Sequence, residues 1–168
     1  MRLSPRIVFA AIAAICAALI ATAIFYMQGQ LGLEPCPMCI LQRYAFFAIG
    51  LVALAAAIHG PRRLALRTYA VLIVLLALAG GGVAIRHSYL QHFPPLTETC
   101  GTDLEFLLNA FSLSEAFPKI FAGTGSCSKV GWKFLGLSIP EWALAWFVVF
   151  AIVAVWVAFV RKPADERY

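Results

Sequence analysis

The sequence predicts an all-α membrane protein: a four-transmembrane-helix bundle with two extracytoplasmic loops, the second expected to carry a short interfacial helix. Composition, the spacing of apolar stretches and the placement of charge carry this reading. The 168 residues are 62% hydrophobic and 12% charged. A water-soluble chain this small cannot bury that much apolar surface, so part of the solvent has to be lipid. The length suits one integral membrane domain spanning residues 1–168.

A bilayer core about 30 Å thick takes about 20 apolar residues in a helix. Four stretches meet or approach that length. Residues 7–27 contain no charge, and residues 40–58 are apolar except for Gln42 and Arg43. Residues 69–86 include three consecutive glycines, Gly80 to Gly82, and residues 142–160 carry Trp142, Trp146 and Trp156. The third stretch lengthens towards Leu90 if Arg86 reaches the headgroups. The loops between them are residues 28–39 and 87–141.

Charge sets the orientation. Arg2 and Arg6 precede the first span, Arg62, Arg63 and Arg67 separate the second from the third, and Arg161, Lys162 and Arg167 follow the fourth. Glu34, Glu98, Asp103, Glu105, Glu115 and Glu141 lie in the other two connections or at their edges. Basic residues mark the cytoplasmic side, so both termini are expected there and both cysteine-bearing loops opposite. The net charge of +5 thus serves topology, and nucleic-acid binding is not expected. The first span has an arginine-bearing start and an Ala21-Thr22-Ala23 stretch resembling a cleavage site. Its apolar run exceeds a signal-peptide core, which favours a retained helix. In the second loop, Leu104, Leu107, Leu108 and Phe111 recur at helical spacing behind Thr102 and Asp103. Phe117, Ile120 and Phe121 continue the apolar character, which suits a membrane-surface segment or a small extramembrane core.

Four of the five cysteines fall in or beside these outer loops. Cys36-Pro37-Met38-Cys39 stands at the mouth of the second span. A two-residue spacer lets the sulfurs join and part reversibly, and a helix start favours a thiolate on Cys39. Arg43 follows four residues later on the same helix face. An arginine just inside the apolar zone suggests function: it could stabilise that thiolate, hydrogen-bond an oxygen of a bound cofactor, or simply snorkel to the headgroups. Cys100 and Cys127 form the second candidate pair, 27 positions apart. A structural disulfide is an alternative there, and so is a zinc site built from both pairs, which the long spacing fits poorly. Cys16, amid apolar neighbours, reads as a small hydrophobe. His87 could polarise a carbonyl of a bound cofactor or sit at the interface, and the glycine run could permit close helix packing or leave room for a flat ring.

These motifs together resemble the disulfide bond formation protein B family, the bacterial quinone-dependent oxidases that re-oxidise the periplasmic thiol oxidase DsbA. The residues that carry the resemblance are Pro35 to Ile40 with Arg43, His87 to Gln91, Cys100, Gly125-Ser126-Cys127, and the run from Trp132 to Trp142. The resemblance implies an inner-membrane protein with periplasmic cysteine loops and four catalytic cysteines, Cys36, Cys39, Cys100 and Cys127. It implies that reduced DsbA attacks a Cys100–Cys127 disulfide at Cys100. Electrons then pass to the Cys36–Cys39 pair, and Cys39 delivers them to ubiquinone or menaquinone near Arg43. A paralogue serving a specialised thioredoxin-fold partner, or a non-enzymatic membrane adaptor with structural disulfides, would share much of this pattern.

Overall fold

The computed structural model describes residues 4–61, 63–93 and 132–160. Cys100, Cys127 and the expected amphipathic segment of the second loop lie outside them. Among the described residues, four helices are long and apolar enough to cross a membrane. Helix α1 spans Pro5–Ala21 and runs on as a π-helical turn, Thr22–Gln28; α2 spans Pro37–His59; α3 spans Arg63–His92; and α4 spans Ile139–Val160.

Local chemistry sets the ends. Pro5 and Pro37 each sit in a first helical turn, where a missing N–H costs nothing. Cys36 is the N-cap of α2, and its sulfur accepts from the backbone N–H of Cys39 at 3.3 Å. Gly60 closes α2 at φ 59°, a left-handed conformation that glycine adopts without a Cβ penalty. Before α4, Lys133–Phe134 pairs antiparallel with Leu137–Ser138. Leu135 and Gly136 between them both have positive φ, as a tight hairpin turn demands.

Several boundaries differ from the sequence expectation, with α2 beginning at Pro37 instead of residue 40 and α3 at Arg63 instead of residue 69. Helix α3 continues through His87 to His92 instead of giving way to loop at residue 87. No proline interrupts it before Pro94, and His87 and Leu90 are buried on its inner face. At about 1.5 Å per residue its 30 residues reach about 45 Å, more than the hydrocarbon thickness. Helix α4 likewise begins at Ile139, three residues early, because Ser138 and Glu141 cap it.

Successive helices run in opposite directions. Arg6 near the start of α1 donates to the carbonyl of Ile58 at the end of α2. At the other end, Arg43 in α2 reaches Ala23 and Gln28. His87 in α3 meets Gln42 and Cys36 beside them. The core holds Phe9, Ile12, Ile49, Ile73, Phe147 and Phe150, with the Phe46 and Phe147 rings stacked at 4.2 Å. Cys16 belongs to this core. Outward faces carry exposed Leu51, Leu54, Leu75, Leu78 and Ile152, the composition of a lipid-facing surface. The glycine run divides its work. A side chain at Gly80 would strike the Phe147 ring and Ala45, whereas Gly82 faces open space.

Candidate functional site

The chemistry-bearing residues collect where α1 and α3 end and α2 and α4 begin. Cys36 and Cys39, one helical turn apart across the start of α2, place their sulfurs 2.7 Å from each other. Only a small movement separates that spacing from a bonded pair. The two cysteines face different surroundings. Cys36 is buried, with its sulfur 3.6 Å from His87 Nε2. Cys39 is half-buried and lines an apolar cavity.

That cavity, about 270 Å³, lies between the π-helical end of α1, the start of α2, the hairpin and the start of α4. Trp132, Phe134, Trp142 and Trp146 form an aromatic wall, and Leu19, Ile20 and Met27 an aliphatic one. Trp142 Nε1 donates to the carbonyl of Phe134 at 3.0 Å, which ties the hairpin to α4. The polar groups entering it include Arg43, Gln42 and the sulfur of Cys39. An apolar, aromatic slot with a few converging polar groups suits a flat ring bearing hydrogen-bond acceptors, so the residues present fit a quinone head.

Arg43 is half-buried and held in place. One guanidinium nitrogen donates to Gln28 Oε1 at 2.5 Å and another to the carbonyl of Ala23 at 3.4 Å. Both acceptors sit on the π-helical turn. The wider i→i+5 winding rotates the chain there, a feature often found beside functional sites. A buried cation so tethered keeps its remaining donors aimed in a fixed direction.

His87 does not line this cavity. It stands on the far side of the pair, 2% exposed, between Cys36 and Gln42, whose side-chain amide lies 3.1 Å from Nδ1. Gln42 stands in the sequence only as a break in an apolar run, yet a glutamine beside Arg43 in a span is itself a signal, since lipid tolerates a polar side chain poorly unless it has a partner. Gln28 carries no such signal, since in the sequence it reads as the first residue of the 28–39 loop.

Comparison with known proteins agrees with the motif reading. The family model for disulfide bond formation protein DsbB matches residues 5–157. The chain belongs to the disulfide bond formation protein B family. It is 53% identical over 152 residues to disulfide bond formation protein B of Aromatoleum aromaticum, covering 90% of this chain and 91% of that one. It is 48% identical to that of an Azoarcus species, over 94% of both chains. To that of Xanthomonas euvesicatoria it is 44% identical, over 91% of this chain and 90% of the relative. With its four apolar helices, this member of the family is a multi-pass membrane protein with a thiol–disulfide oxidoreductase role in disulfide bond formation.

Proposed function

We propose that the protein is a quinone-dependent protein-thiol oxidase of the bacterial inner membrane. It would re-oxidise a periplasmic DsbA-type thioredoxin-fold partner and pass the electrons through two cysteine pairs to ubiquinone or menaquinone. The observation that carries this reading is that Cys39 and Arg43 line the same apolar cavity. The charge asymmetry of the sequence supports cytoplasmic termini and periplasmic cysteines.

The electron balance is simple. The partner's dithiol exchanges with a Cys100–Cys127 disulfide, entering at Cys100, and the dithiol so formed opens the Cys36–Cys39 disulfide. Each exchange breaks one S–S bond and makes one. Closing the Cys36–Cys39 bond again releases two electrons and two protons. A bound quinone supplies the sink for both.

The chain's own residues arrange the exit. The N-terminal turn of α2 and the positive charge of Arg43 favour a thiolate on Cys39. Gln28 and Ala23 hold Arg43 so that it can donate to an oxygen at the cavity wall. Trp132, Phe134, Trp142 and Trp146 give the reacting sulfur an apolar, aromatic surrounding. His87 and Gln42 back the buried sulfur of Cys36, the one the incoming dithiol would attack.

Purified protein given reduced DsbA and ubiquinone should reduce the quinone catalytically, and Cys39→Ser should abolish that turnover. Normal rates in Cys39→Ser would exclude Cys39 as the donor.

A further inference from the structure

Cys36, Cys39 and His87 form more than a redox pair with a neighbour. Their two Sγ atoms and a His87 ring nitrogen all lie within 4.8 Å of one another. Two cysteines spaced by two residues are half of many zinc sites, and a histidine from another element is a common further ligand. We propose that the reduced Cys36–Cys39 pair and His87 form a three-ligand site for a thiophilic divalent cation of the zinc class, and that occupancy locks the pair in its reduced state.

The distances suit this ion. With Zn–S near 2.3 Å and Zn–N near 2.0–2.1 Å, tetrahedral ligands stand about 3.6 Å apart for S···N and about 3.8 Å for S···S. The Cys36 Sγ to His87 Nε2 separation is already 3.6 Å. The two sulfurs, at 2.7 Å, have to open by about 1 Å, which rotation of the half-buried Cys39 side chain towards the cavity can supply. The cavity then leaves a fourth position open on the Cys39 side.

Two further features favour an ion here. First, the site is buried: Cys36 is 5% exposed and His87 2%. Two thiolates cancel the charge of a dication, so the complex enters this environment without net charge. Second, Gln42 occupies the outer-shell position that orients a ligating histidine. With its amide turned so that the oxygen accepts from Nδ1–H, the lone pair of Nε2 faces Cys36. Binding exchanges the two thiol protons for the cation and involves no electron transfer. A disulfide offers no thiolate, so the ion takes only the reduced state, and oxidation of the pair requires its release. The binding step stands apart from the quinone reading. The inhibitory consequence rests on it.

The test uses the full chain in detergent carrying Cys100→Ser and Cys127→Ser, reduced, and titrated with Cd²⁺ under ultraviolet absorption for sulfur-to-metal charge transfer. We expect one ion per chain, no comparable band after oxidation of the pair, and affinity lower by at least about tenfold in His87→Ala or Gln42→Leu, the scale on which outer-shell partners already act. X-ray absorption of the Zn²⁺-loaded protein, which needs no His87 variant, should show two sulfurs and an imidazole. Unaltered affinity in His87→Ala, equal binding by the oxidised pair, or a shell without imidazole would overturn the site. A protein that reduces quinone in the presence of excess Zn²⁺ as fast as without it would overturn the lock. A chain that binds Cd²⁺ in this way yet never reduces quinone would support the site and remove the quinone reading.

Discussion

Gln28, the last residue of the π-helical turn, accepts a 2.5 Å hydrogen bond from Arg43 in the neighbouring helix. The contact joins two elements that both line the apolar cavity. It fixes the one arginine that α2 carries within its apolar length.

If Arg43 donates to a quinone oxygen, removing it loses a charge-assisted bond, a contribution of about 1.5–3 kcal/mol. Arg43→Ala should therefore raise the apparent KM for ubiquinone by about tenfold or more. Gln28→Ala keeps the cation and loosens only its aim, so its effect should lie between wild type and Arg43→Ala. Steady-state quinone reduction over a range of ubiquinone concentrations checks both. An unchanged KM in Arg43→Ala would remove the arginine from the quinone site.

The differing environments of the cysteines predict an order of reactivity. Cys39 opens to the cavity, whereas Cys36 is 5% and Cys16 1% exposed. In the reduced protein, limited alkylation followed by peptide mass spectrometry should label Cys39 first and Cys16 last among these three described cysteines. Labelling of Cys36 ahead of Cys39 would contradict the assignment of Cys39 to the open side.

Gly80 tests the packing. A Cβ there would stand 2.5 Å from the Phe147 ring and 2.8 Å from Ala45. Gly80→Val should destabilise the bundle by about 1–3 kcal/mol, the usual cost of overpacking. Gly82→Ala, facing open space, should leave the thermal transition in detergent nearly unmoved. Equal behaviour of the two variants would show that α3 does not pack against α4 through Gly80.

The fold was legible because lipid imposes a simple rule: about 20 apolar residues for each crossing. That rule found the four helices but left the third span ending at residue 86 with only a conditional extension towards Leu90, since residues 86–92 are polar enough to look like loop. The start of α4 was written in Ser138-Ile139-Pro140-Glu141, a capping box in which Glu141 accepts from the Ser138 backbone N–H at 2.6 Å. The Cys36–Cys39 spacing and Arg43 were visible because cysteine pairs and in-membrane charge are rare. Gln28 and the split between the two sides of the pair were not. They depend on which faces of separate helices meet, and a π-helical turn shifts that register without a mark in the sequence.

The central claim is that electrons leave the chain at Cys39. The most direct measurement follows a single turnover without oxygen, using reduced protein with Cys100→Ser and Cys127→Ser and stoichiometric ubiquinone, and counts disulfide and quinol together. One Cys36–Cys39 disulfide is expected for each quinol formed, and neither product when Cys39→Ser is added. Quinol formed at an undiminished rate without Cys39, or a reduced Cys36–Cys39 pair that never yields quinol, would contradict it.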